Sequence, residues 1–124
     1  MGDGNRGYAH LKLKEYNKSL TDSDTAIELA ASTGLASDYV ISFFNIRGQA
    51  HWALGHYEKA IDDYTRGLSM KPGGFLQRDQ LEPLQGELHF HRAEALRKLK
   101  QNQLAEHDEQ AARDLFYFPT SSAR

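Results

Sequence analysis

One stretch of this chain occurs twice. Arg6-Gly7-Tyr8-Ala9-His10 leads through Leu13 to Tyr16-Asn17-Lys18. Arg47-Gly48-Gln49-Ala50-His51 leads through Leu54 to Tyr57-Glu58-Lys59, so that Arg, Gly, Ala, His, Leu, Tyr and Lys recur 41 residues apart. A period in this range marks stacked supersecondary units. Each unit of such a stack contacts only its neighbours, and the array presents an extended surface rather than a closed cleft.

The second copy defines the unit. Tyr57, Ala60, Ile61, Tyr64 and Leu68 form one apolar helical stripe. Val40, Phe43, Phe44, Gly48, Ala50, His51 and Leu54 mark a helix before it, and Gly55 stands between the two where a helix end favours a left-handed residue. Helices over 38–54 and 57–70 therefore form a tight antiparallel pair, closed by Lys71-Pro72-Gly73-Gly74. In the first copy Tyr16, Leu20, Ala26 and Ile27 take the places of Tyr57, Ile61, Gly67 and Leu68. Lys14 replaces Gly55, and Ser32-Thr33-Gly34 ends the unit. A third copy starts around Pro83, with Arg92-Ala93-Glu94-Ala95 aligned on Arg47-Gly48-Gln49-Ala50 at a spacing of 45. Its second helix allows two registers. Leu104, Asp108, Ala111 and Leu115 give the expected inner face; Ala105, Glu109 and Ala112 give the other. Asn102 is expected in the turn, residues 73–82 in a long connection, and the aromatic ending Phe116-Tyr117-Phe118-Pro119 in a fold-back or a contact.

At 124 residues the chain is one small domain or a piece of a larger array. A net charge of −2 makes no electrostatic case for nucleic acid or an anionic membrane. The absence of cysteine leaves no disulfide framework and suits a reducing compartment. With neither a membrane-length apolar run nor a signal peptide, a cytoplasmic location is the expectation.

The stretch from Phe43 to Pro72, with its small residues, glycine turn, tyrosines and terminal proline, resembles the tetratricopeptide repeat, whose nominal period is about 34 residues. The resemblance covers about residues 5–115, in repeats of about 4–33, 38–72 and 83–115 with a tail over 116–124. The spacings of 41 and 45 imply lengthened helices or loops. The resemblance implies an all-α fold: a right-handed superhelical stack of three antiparallel helix pairs, whose first helices line a concave face. Gly7, Gly48 and Ala93 share one helical place where a small side chain lets paired helices approach.

No chemical motif competes with this reading. Gly2-Asp3-Gly4-Asn5-Arg6-Gly7 spells a dinucleotide fingerprint but has no room for the strand that must precede it. Asp22-Ser23-Asp24 lacks the glycine and closing glutamate of a calcium loop. The histidines show no i, i+4 pair, so no metal and no cofactor are expected. No nucleophile is matched to a base, so the chain is not read as an enzyme.

The resemblance implies a protein–protein interaction module, a scaffold or adaptor taking a partner peptide or helix in its concave groove. Helical spacing assigns Tyr8, Leu11 and Lys12 to that face from the first pair. From the second it assigns Ser42, Asn45, Gln49 and Trp52, and from the third Phe90, Glu94, Arg97 and Lys98. Trp52 is the leading contact residue, because tryptophan desolvates a large area at interfaces. Packing between adjacent repeats is its alternative role. Some family members grip the C-terminal carboxylate of heat-shock chaperones with Lys, Asn and Arg on their first helices. The matching places Gly4, Tyr8, Ile46, Glu87 and His91 carry none of these, and Glu87 would repel a carboxylate. The alternative function is self-association into a homo-oligomer through a C-terminal end without a polar capping helix.

Overall fold

The computed structural model describes residues 15–34, 37–71, 73–74 and 76–115. These hold five helices: α1 (Tyr16–Thr33), α2 (Ser37–Ala53), α3 (Tyr57–Ser69), α4 (Arg78–Lys98) and α5 (Asn102–Asp114). The fold is an all-α helical-repeat solenoid. Helices α2 and α3 form one hairpin and α4 and α5 the next, and α1 packs on α2 at the repeat place that α3 and α5 hold in theirs. The partner expected for α1 lies outside the described residues, as do Tyr8, Leu11, Lys12 and the aromatic ending.

Each helix packs on its neighbours in sequence, and α2 also touches α4. Helices α1, α3 and α5 do not touch one another. Helices that reach their counterparts in the next hairpin lie on the inner side of a curved stack. The first helices therefore line the inner side among the described residues.

Local sequence explains the helix ends. Gly34 adopts a left-handed conformation at φ 71°, and its N–H closes α1 on the carbonyl of Ala30. Gly55, at φ 81°, turns the chain between α2 and α3. Lys100 occupies the same place in the next hairpin and takes φ 61° without being glycine, which costs roughly 1 kcal/mol. The left-handed turn residue is thus Lys100, and Asn102, expected in the turn, opens α5 instead. Helix α4 begins at Arg78, five residues before the expected start, and runs through Pro83. The Gln77 N–H donates to Gln80 Oε1 at 3.2 Å and secures that early start. The lengthened α4 explains much of the wider spacing.

The connection between hairpins is pinned rather than free. Asp38 is fully buried at the start of α2. Its two carboxylate oxygens accept from the Gly73 N–H at 2.7 Å and the Leu76 N–H at 2.9 Å.

Helix α2 is buried on several sides because it packs between α1, α3 and α4. Phe43 meets Ala26 and Ala30 of α1. Ile41 joins Ala60, Tyr64, Leu88 and Ala95 in the main cluster. Gly48 lies against the ring of Tyr64, as expected for a close crossing. Gly67 is looser: a methyl group there would stand 3.4 Å from Leu88 and 3.5 Å from Phe44, ordinary contact distances. Ala26 and Ala112 hold the equivalent places in the other repeats and are buried. Gly67→Ala is expected to raise stability by about 0.5–1 kcal/mol through helix propensity, a rise visible in a urea melt.

The register of α5 corrects the sequence expectation. Ala105, Asp108 and Ala112 are buried, whereas Leu104 is 56% exposed. Two forces outweigh the apolar preference of Leu104. The crossing with α4 needs the small Ala105 against Ala93 and Leu96, and Asp108 is drawn inward by Arg92.

Candidate functional site

The inner side is built where α2 and α4 meet. Asn45 of α2 is 5% exposed; its Nδ2 donates to Glu87 Oε1 of α4 at 3.0 Å. Gln49, one turn on, donates from Nε2 to the same oxygen at 3.2 Å. His91 Nδ1 stands 3.3 Å from Asn45 Oδ1 and 3.9 Å from Glu87 Oε1. Its ring lies 5.9 Å from that of Tyr64. Burial pushes the Tyr64 phenol well above its ordinary pKa, and the carboxylates of Glu94, Asp63 and Glu87 push the same way.

Trp52 lies one turn beyond Gln49 and is half-buried at the edge of the main cluster. Its ring meets Tyr57 edge-on at 6.3 Å, and the Lys98 ammonium sits 5.9 Å from its centroid. The indole N–H is buried and finds no acceptor among the described residues. Trp52 therefore combines packing with partial exposure.

Of the expected face residues, the structure brings Asn45 and Gln49 together, and Trp52 with Lys98. Phe90 and Glu94 are half-buried on α4, and Ser42 donates to the Tyr39 carbonyl. Arg97 is engaged across the hairpin: its guanidinium forks onto Glu109 of α5, with Nε and Nη2 each 2.7 Å from a carboxylate oxygen. Position 97 sits near the end of α4, on the flank that packs against α5. Helical spacing alone did not separate that flank from the inner face. Glu87 and His91, expected only as failed clamp positions, stand at the centre of the inner side.

A second set of polar contacts braces the hairpins. Arg47 forks onto Asp63 of α3, with Nη2 2.7 Å from Oδ1, and reaches Asp24 of α1 at 2.9 Å. Arg92 repeats this on Asp108 of α5 at 2.7 Å, and its Nη1 reaches Thr65 of α3 at 3.1 Å. Asp24 and Thr65 are equivalent positions, so each arginine ties its own hairpin to the preceding one. The signal is present in the sequence, because an aspartate follows each repeated arginine at the same distance: Arg6 and Asp22, Arg47 and Asp63, Arg92 and Asp108.

Burial alone would raise the pKa of Asp108, but hydrogen bonds from His89 and Arg92 outweigh it and hold the carboxyl below its ordinary value. A depressed folded-state pKa means stability that is present above the unfolded value and lost as pH falls through the folded one. Stability is therefore expected to drop as pH goes below about 4. In Asp108→Asn that acid dependence should be smaller in chemical melts between about pH 2 and 5. At the other hairpin, burial lowers the pKa of His51.

Helix α5 presents Gln103, Glu106, His107 and Gln110 around an open outer depression. Glu106 and Arg113 occupy the places held by Ile61 and Leu68 in α3 and by Leu20 and Ile27 in α1. The face that stacks on the next hairpin has become polar. Among the described residues, no group of three or more His, Asp or Glu side chains is placed to hold a metal ion. No helix among them is long and apolar enough to cross a membrane.

Helix hairpins stacked with a shared inner side define the helical-repeat class. Within it, residues 42–73 match the family model of the tetratricopeptide repeat, from the first turns of α2 to the connection after α3. No curated protein and no solved structure matches the chain significantly. Tetratricopeptide repeats are generally protein–protein interaction modules, so a protein partner is the coarse functional reading.

Proposed function

We propose that the chain is a scaffold or adaptor module that takes a partner peptide or helix along the inner side formed by α2 and α4. The observation that carries this is the contact of α2 with α4 while α1, α3 and α5 stay apart. In this reading the pairs Gln49 with Glu87 and Trp52 with Lys98 form the strip that the partner meets. The strip offers amide, indole, carboxylate and ammonium groups, the mixture that peptide recognition uses. It is a binding surface rather than a catalytic one. Glu87 stands where a chaperone-carboxylate clamp needs a basic residue, which speaks against that specialised use. A chain without cysteine is suited to the cytoplasm. Self-association through the C-terminal end is disfavoured by the polar outer face of α5.

The test compares partner capture by wild type, Trp52→Ala, Gln49→Ala and the outer-face variant His107→Ala. Trp52→Ala is expected to weaken binding by about 2 kcal/mol, roughly thirtyfold, with helicity retained. His107→Ala should bind as wild type. Full binding by both inner-side variants, or equal loss with His107→Ala, would place the interface elsewhere.

A further inference from the structure

Glu87 is held in an asymmetric way. Both donors that reach it, Asn45 Nδ2 and Gln49 Nε2, bind the same oxygen, Oε1. Among the described residues nothing donates to Glu87 Oε2 or to Gln49 Oε1, and both atoms are acceptors. The Glu87 side chain keeps 35% exposure, so its charge is open to the groove.

The arginines of α2 and α4 are engaged elsewhere. Arg47 is forked onto Asp63 and Arg92 onto Asp108, while Arg97 is forked onto Glu109. Lys98 is eleven residues along α4, about 16 Å away along the axis, and sits over Trp52. His91 is the basic side chain that borders the seat. The carboxylate is thus fixed in orientation by two amides and lacks a strong cationic partner from the described residues. A free acceptor on Gln49 stands beside it. Such an arrangement suits a donor-rich cation, since charge-assisted hydrogen bonds are the strong ones.

Resting on the groove reading above, we infer that this seat receives an arginine or lysine side chain of a basic peptide segment in the partner. The cation donates to Glu87 Oε2 and Gln49 Oε1. Asn45 has no direct role toward the ligand and acts as a positioning residue.

Three matched, end-blocked glycine–serine nonapeptides test this, bearing arginines, citrullines or glutamates at the same places. Each is titrated into the full chain while the side-chain amide signals of Asn45 and Gln49 are followed by NMR. The arginine peptide is expected to shift both signals. The citrulline peptide, of the same shape without charge, should bind at least about tenfold more weakly. Glu87→Gln should reduce the arginine peptide to the citrulline level, with circular dichroism and thermal midpoint checking its fold. Should that variant misfold, wild type still decides: binding of the arginine peptide must weaken as salt rises from about 0.05 to about 0.5 M. Equal or stronger shifts with the glutamate or citrulline peptide overturn the cation seat and leave the groove reading standing. If none of the three peptides moves any signal of α2 or α4, both fall.

Discussion

Gly48→Leu is expected to lower the thermal midpoint by about 10 °C or more. The cause is geometric. Even a bare Cβ at position 48 would overlap Cε1 of Tyr64 and lie 2.8 Å from Cδ1 and Cζ. Tyr64 is 1% exposed and enclosed by Ile41, Ala60, Leu88 and Ala95, so its ring has nowhere to turn. Overpacking of this kind costs about 1–3 kcal/mol for a methyl group, and leucine lies at or beyond the upper end. The third hairpin shows the way out. There Ala93 holds the place of Gly48, and the facing position is Glu109 rather than a tyrosine. Gly48→Ala should accordingly be destabilising alone but cost much less in a Tyr64→Leu background. A double-mutant cycle measures this as a coupling of about 1 kcal/mol or more. Additive effects would show that the ring and the glycine do not limit the crossing.

Asp63→Ala is the second large loss, about 3 kcal/mol in a denaturant melt. Asp63 is 2% exposed, and its carboxylate takes both Nε and Nη2 of Arg47. Removing it strands a guanidinium whose side chain is only 17% exposed. Asp24 remains as a partner, but its side chain is 55% exposed and cannot replace a buried fork. Asp24→Ala should therefore cost less than about 1 kcal/mol. The combined Arg47→Met, Asp63→Leu variant should recover most of the loss, because an apolar pair carries no desolvation penalty. If Asp63→Ala were as mild as Asp24→Ala, the arginine would be solvated and the brace between hairpins would contribute little.

The hairpins could be read from the chain because their signals are local. Gly55 in the left-handed region, the stripe from Tyr57 to Leu68 and the break at Gly34 each lie within a few residues of the feature they mark. The register of α5 was harder. Leu104, Asp108 and Leu115 share the expected inner face, and of these Asp108 is buried while the small Ala105 and Ala112 take the place of Leu104. Asp108 is buried as that face expects, and its partner Arg92 on α4 makes the burial favourable. The recurring interval between arginine and aspartate carries that pairing in the sequence. The fork of Arg97 onto Glu109 likewise crosses between helices, beyond the reach of a local pattern.

The sequence by itself determined that the chain folds as repeated helix pairs and where the middle pair turns. Helical periodicity and chain breaks set these, and both act over a turn or two of backbone. Only the tertiary structure decided that Glu87 is held by Asn45 and Gln49, and that Arg97 is directed to Glu109 of α5. The Asn45 contact spans 42 residues, and no periodic pattern records it. Such pairings arise when packed helices bring polar groups out of water and each must find a partner in whatever geometry the packing leaves.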